Sequence, residues 1–199
     1  MAKIEVGIGI LAGGKSRRMG KDKVFLPWED KNFLETILEK CSVFPDIYLS
    51  VANKDGWDKN YGVTGIVEDE LPDYGPLEGI YQILCASKQE YVLMLAADMP
   101  NISRELLLEL TGLVTGEEDC LALVKDNYPE ILCSIYSKRI LPIAEAMREN
   151  GEHRPIRIFE RSDTRYVDID ELGFSKQIVE NINTPEEYER MIREKEQRQ

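Results

Sequence analysis

Apolar residues recur along the chain in two alternating spacings. Residues 6–11, 47–52, 65–67 and 91–97 are short apolar runs of buried-strand character. Between them, Phe33, Leu34, Ile37, Leu38, Cys41 and Phe44, and then Leu77, Ile80, Tyr81 and Leu84, fall three or four apart, as on one face of a helix. The run 91–97 has no polar residue and marks a central parallel strand covered on both sides. Ser103 stands where it caps a helix carrying Leu106, Leu107 and Leu110. This rhythm predicts an α/β fold, an open and mostly parallel sheet with helices on both faces.

The second half is less regular. Residues 121–124 and 131–136 read as strands around the turn-like Asp126-Asn127-Tyr128-Pro129, one of them a candidate for antiparallel pairing; 140–148 reads as a helix and 165–169 as a strand. Thr184-Pro185-Glu186-Glu187 places Thr at an N-cap, Pro in the first turn and Glu where it closes a capping box. Glu186/Arg190, Glu189/Arg193 and Glu194/Arg198 then support an exposed terminal helix. With no repeat and no linker, residues 1–199 are expected to form one domain.

Composition narrows the class. The chain has 25 Lys and Arg against 37 Asp and Glu, a net charge of −12, which argues against a general nucleic-acid binder. No run approaches the length of a membrane span. The N-terminal apolar run ends in a double glycine and a basic cluster, not a cleavage site, so a cytoplasmic protein is expected. Cys41, Cys85, Cys120 and Cys133 form no CxxC, and the single histidine, His153, cannot complete a zinc cluster. All four thiols read as small core hydrophobes in a reducing compartment, and His153 reads as a surface residue.

Against this acidic background one segment stands out: Leu11-Ala12-Gly13-Gly14-Lys15-Ser16-Arg17-Arg18-Met19-Gly20-Lys21-Asp22-Lys23, directly after the first strand. Residues 15–23 hold five cations and one acid. Glycines that bring backbone N–H groups close to a ligand, beside clustered cations, suit a phosphate chain. Gly9-Ile10-Leu11-Ala12-Gly13-Gly14-Lys15-Ser16 also fits the P-loop pattern GxxxxGK[ST], and Gly7–Ala12 fits a relaxed dinucleotide fingerprint. Both would place their first glycine inside the strand, and no helical period follows Ser16. A Walker-B-like run at 91–98 keeps the P-loop as an alternative.

Two further segments complete the chemistry. Asp98-Met99-Pro100 ends the central strand, where open α/β sheets bind ligands, and its carboxylate suits Mg²⁺. Asp69 follows a short strand and is a candidate acceptor for ribose hydroxyls or base N–H groups. Gly75-Pro76-Leu77-Glu78-Gly79-Ile80 then opens a helix.

Taken in order with Asn181-Ile182-Asn183-Thr184-Pro185-Glu186, these motifs resemble the molybdenum cofactor guanylyltransferase family (MobA-type) over almost the whole chain. The resemblance implies a Rossmann-like nucleotidyltransferase fold. It also implies transfer of GMP from GTP to molybdopterin, in its molybdenum cofactor form, giving molybdopterin guanine dinucleotide and pyrophosphate. Residues 1–100 would form the GTP-binding half and 101–199 the acceptor half. Leu11, Ala12, Gly13 and Gly14 would contact the guanine nucleotide, Lys23 and Arg18 the phosphates, Asp69 the nucleoside, and Asp98 the nucleotide and Mg²⁺. Lys23, Arg18 and Asp98 would be catalytic. Asn181 and Asn183 would face the pterin substrate or the metal. Partners would be other cofactor-biosynthesis proteins and molybdo- or tungstoenzymes, with neither nucleic acid nor membrane involved.

The nearest alternative is the cytidylyltransferase of the same fold, which tends to carry an alanine at position 13 and a different second motif. Gly13 and the Gly75–Ile80 segment resemble the guanine type, and Gly13 would leave room for a purine. Val51-Ala52-Asn53 departs from the Asn-Ala-Asn of many guanine-type members, leaving only Asn53 to contribute. A P-loop NTPase and a non-catalytic nucleotide sensor are the readings from other classes.

Overall fold

In a computed structural model, which describes residues 4–13, 23–57, 61–71 and 74–196 (195 and 196 as backbone only), the chain builds outward from β1 (Val6–Leu11). After a short hairpin of β2 (Pro27–Trp28) and β3 (Lys31–Asn32), α1 (Phe33–Cys41) leads to β4 (Ile47–Val51). β5 (Gly65–Glu68), α2 (Pro76–Ala86), β6 (Tyr91–Ala96) and α3 (Arg104–Gly112) follow. The second half holds β7 (Cys120–Lys125), β8 (Tyr128–Pro129), β9 (Cys133–Ser137), α4 (Leu141–Glu149), α5 (Ile156–Arg161), β10 (Thr164–Asp168) and α6 (Pro185–Glu196).

The main sheet runs β10-β7-β9-β6-β1-β4-β5, with β8 added on β7. β1 pairs in parallel with β4 and β6, β4 with β5, and β10 with β7; β9 alone on this path runs against its neighbours. The expected antiparallel strand is therefore β9. Asp126 and Asn127, with φ of 53° and 65°, form the two-residue turn between β7 and β8, the backbone that a type I′ hairpin requires.

Alternation along the strands divides the core. Ile8, Ile10, Leu93, Leu95, Leu121 and Leu123 pack with α1 and α3, whereas Val92, Met94, Cys120, Ala122 and Tyr136 pack with α2, α4 and α5. The helices thus cover both faces, as the apolar runs predict. Gly9 sits where a Cβ would lie 2.6 Å from the Met94 sulfur and 2.8 Å from Ile83, so its role is to let α2 approach β1.

Several local expectations hold. Ser103 accepts the Leu106 N–H at the start of α3, and Thr184 and Glu187 form the reciprocal cap of α6. Two expectations are corrected. Cys85 is exposed, because it lies on the arc of α2 opposite Leu77, Ile80, Ile83 and Leu84; Cys41, Cys120 and Cys133 are buried. Arg190 lies with Glu180 and Glu194 rather than with Glu186, because the segment before α6 passes beside it. His153 is exposed, as expected of a surface residue, and its ring stands 4.1 Å from that of Tyr74. Glu189 and Arg193 pair as expected, and Arg198 lies outside the described residues. Among the described residues no helix is long and apolar enough to cross a membrane.

Candidate active site

From β1 the chain fills one side of the sheet with β4 and β5, then crosses to the other side with β6. The carboxyl ends of β1 and β6 therefore flank the switch point, where doubly wound sheets open a crevice for ligands. Leu11 pairs with Ala96, and the Ala97 N–H donates to the Leu11 carbonyl at 3.1 Å. The exit of the first strand and the Asp98 turn are thus neighbours on one edge of the molecule.

Asp98 has one side-chain oxygen engaged and one not. Its Oδ2 accepts from Nζ of Lys23, which opens a 3₁₀ turn at Lys23–Phe25. The same Nζ donates to Oδ1 of Asn183 at 2.8 Å. Oδ1 of Asp98 is buried without a hydrogen-bond partner. The side chains of Lys23 and Asp98 are 13 % and 15 % exposed, close enough to solvent for a ligand to reach and dry enough for their charges to act strongly.

These three residues come from distant parts of the chain, and a small core brings them together. Trp28, Phe33, Ile182 and Met191 are buried in one cluster, with Leu26, Tyr188 and Ile192 against it. The Trp28 and Phe33 rings meet edge to face at 5.6 Å, and Tyr188 packs on Phe33 at 6.0 Å. The Tyr188 hydroxyl donates to the Pro27 carbonyl, and the Ile182 N–H donates to the Asp98 carbonyl at 3.0 Å. Ile182 therefore anchors the segment before Asn183 to the Asp98 turn, while the hairpin of β2 and β3 holds the chain after Lys23 against α6.

Asp69 follows β5, two strands from β1 on the same edge. It is half-buried, and its Oδ1 accepts from the Ser50 hydroxyl at 3.1 Å. Burial pushes its carboxyl above the ordinary range; the Ser50 bond opposes that shift, and Glu78 and Glu68 add to it.

The first loop divides. Leu11 and Ala12 are committed to the sheet through the Leu11 carbonyl and the Ala12 N–H, which donates to Ser50 at 2.8 Å; Ala12 is buried. Gly13 is exposed at the strand end, and a Cβ there would stand 2.9 Å from the Ala52 nitrogen. Backbone crossing at the end of β4 thus requires this glycine, a reason separate from room for a purine. Gly14 and Arg18 lie outside the described residues, as do the cations between Lys15 and Lys21. Gly9 lies inside β1, paired with Tyr48 and Met94, so the P-loop pattern is out of register with the strand end. Asn53 turns to its own loop, bonding Asp55 through both its amide nitrogen and oxygen.

Asn181 and Asn183 share a cavity of about 290 Å³ with Lys125, Glu130, Glu187 and Arg190. Nothing in the sequence singles out Lys125 and Glu130, an ion pair at 3.3 Å. Their signal is positional: Lys125 closes β7 on the same edge as Asp98, visible only once the strand order is known. Among the described residues no group of three or more His, Cys, Asp or Glu is arranged to hold a metal. Mg²⁺ does not require such a group, since it commonly completes its shell with water and substrate oxygens.

A family model described as a MobA-like NTP transferase domain matches residues 8–165. A probable molybdenum cofactor guanylyltransferase of Methanosarcina mazei is 33 % identical over 197 residues, covering 92 % of this chain and 88 % of that protein. Another of that description, from Clostridium perfringens, is 31 % identical over 201 residues, covering 97 % and 99 %. The solved structure of molybdopterin-guanine dinucleotide biosynthesis protein A from Archaeoglobus fulgidus is similar with a TM-score of 0.80 at 26 % identity, covering 93 % of this chain and 96 % of that one. The chain belongs to the MobA-like NTP transferase family.

Proposed function

We propose that the protein transfers GMP from GTP to molybdopterin in its molybdenum cofactor form, releasing pyrophosphate and leaving molybdopterin guanine dinucleotide. The observation that carries this reading is the convergence of Lys23, Asp98 and Asn183 at the switch point, with one Asp98 oxygen buried and unpartnered. A saturated carboxylate would be structural; an orphaned one beside a lysine is suited to a cation and the phosphates it accompanies.

In this reading Gly13 and Gly14 border the nucleotide, Asp69 accepts from the nucleoside, and Lys23 and Arg18 meet the triphosphate. Asp98 holds Mg²⁺, which when bound offsets phosphate charge; the unpartnered Oδ1 fits that role. The terminal phosphate of the acceptor attacks the α-phosphorus in line, and the bond to pyrophosphate breaks. The nucleophile is already an anion, so no general base is required. What the chain must supply is positive charge and alignment for two anions, which Lys23 and Arg18 provide. Residues 1–100 form the GTP-binding half. Residues 101–199 form the acceptor half, in which the cavity at Asn181 and Asn183 takes the pterin. The free buried thiols support a reducing, cytoplasmic setting, from which the product passes to molybdo- or tungstoenzymes.

Purified protein with Mg²⁺ and either GTP, CTP or ATP, with and without molybdopterin, tests the reading. Pyrophosphate should appear only with GTP and acceptor together. Preference for CTP would move the protein to the cytidylyltransferases, and acceptor-independent hydrolysis would make it an NTPase.

A further inference from the structure

The turn that follows Asp69 is tied to a residue far away in the chain. Glu78, in the first turn of α2, is fully buried. Its Oε1 accepts from the backbone N–H of Glu70 at 3.0 Å and of Leu71 at 3.4 Å, and from Nε2 of Gln82 at 2.8 Å. Arg148, near the end of α4, donates to Oε2 through Nε at 2.7 Å and to Oε1 through a terminal nitrogen at 3.1 Å. That nitrogen also reaches Glu70 at 3.2 Å, and the guanidinium lies 4.0 Å over the Tyr81 ring. The Arg148 carbonyl in turn accepts from the Tyr74 hydroxyl.

A buried ion pair is weak evidence for stability, since apolar residues of the same volume often serve as well. What apolar residues cannot do is accept the N–H groups of Glu70 and Leu71. Among the described residues Asp69 itself is held on its strand side, by its N–H to the Val51 carbonyl and by Ser50. The next fixed points in the described chain are the two bonds to Glu78.

We infer that Glu78 and Arg148 are positioning residues that hold the Asp69–Leu71 turn, and with it the Asp69 carboxylate, in the orientation that reads the nucleoside of the substrate. This rests on the role proposed for Asp69, and it makes a residue of α4 a determinant of nucleotide recognition.

The test is the double variant E78M/R148M, which fills the same space without acceptors, measured for folding by circular dichroism, for GTP affinity by calorimetry, and for kcat and KM with GTP and CTP. GTP should bind about tenfold more weakly, KM for GTP should rise more than kcat falls, and the preference for GTP over CTP should narrow. A folded double variant with unchanged affinity and preference overturns the inference. If the double variant does not fold, Glu78→Met, which removes the same acceptor and leaves Arg148 its bond to Glu70, decides on the same readouts, and unchanged GTP affinity in that variant overturns the inference. Asp69→Asn separates the two levels. If that variant binds GTP as the parent does, the role of Asp69 fails and the positioning role falls with it. If Asp69→Asn weakens GTP but E78M/R148M does not, only the positioning role fails.

Discussion

Two carboxylate–cation pairs, Glu78–Arg148 and Asp98–Lys23, each join distant parts of the chain. They differ in how completely they are satisfied. Glu78 is 0 % exposed and receives bonds from Arg148, Gln82, Glu70 and Leu71, so that no oxygen is left over. Asp98 is more open and keeps one buried oxygen without a partner. A fully bonded ion pair has no capacity left for a ligand and can only shape the protein around it. A half-bonded one keeps a lone pair for a ligand at the end of the central strand, the kind of group with which binding begins.

The largest expected effect breaks the saturated pair. Arg148→Ala leaves Glu78 buried and uncompensated and should cost about 3–5 kcal/mol of stability, read by denaturant unfolding. The E78M/R148M double variant should recover most of that loss. The pH dependence sharpens the contrast. Burial alone would raise the Glu78 value, but bonds from Arg148, Gln82 and the Glu70 N–H outweigh it, and its pKa lies below the ordinary carboxylate range. Glu78 therefore contributes stability that is present above its unfolded pKa and is lost as pH falls through its lower, folded one. The double variant should lack this component of acid unfolding.

The open pair should respond in activity instead. Lys23→Ala or Asp98→Ala should lower kcat by roughly 10²- to 10³-fold, the loss usual for removing one group that stabilises transition-state charge. Their unfolding midpoints should stay near the parent's. Steady-state pyrophosphate release beside thermal melts measures both, and wild-type turnover in either variant would remove the pair from the mechanism.

Asp69 stands between the two extremes, bonded to Ser50 yet held above its ordinary pKa chiefly by burial. A raised carboxylate value contributes stability below the unfolded pKa that is lost as pH rises through the folded one, so at neutral pH the charge is a cost. Asp69→Asn should therefore keep or raise the melting temperature at pH 7 while weakening GTP binding. In the parent, GTP affinity should begin to fall on acidification at a pH above the usual aspartate range. The variant should show no such step.

How much of these differences is legible in the sequence depends on what each one rests on. Strands β1 and β6 have no polar side chain inside them and β4 has only Ser50, because both faces are covered, and such runs are visible in the sequence. The six-residue α5 and the two-residue strands β2 and β3 are too short to show a period, and so went unpredicted. Lys23, Asp98 and Asn183 each stand out by residue type and neighbours. Their contact does not, because it depends on Trp28, Phe33, Ile182 and Met191 packing across most of the chain length. Glu78 falls within the Gly75–Ile80 segment, and only its buried bonds show that it holds the turn after Asp69. Lys125 reaches the cavity through the strand order and Arg190 through the packing of α6, and neither is legible in the sequence.

The smallest effect separates the two functions that Asn183 combines. Its amide oxygen accepts from Lys23, and the residue also lines the cavity shared with Asn181, Lys125 and Arg190. Because Lys23 keeps its bond to Asp98, Asn183→Ala removes only one partly exposed hydrogen bond, worth about 1 kcal/mol or a fivefold change. If the cavity takes the acceptor, that change should fall on KM for molybdopterin, while GTP affinity stays within about twofold. An equal weakening of GTP binding would instead make the amide an anchor for Lys23. The half-bonded pair would then need three residues, rather than two, to hold its geometry.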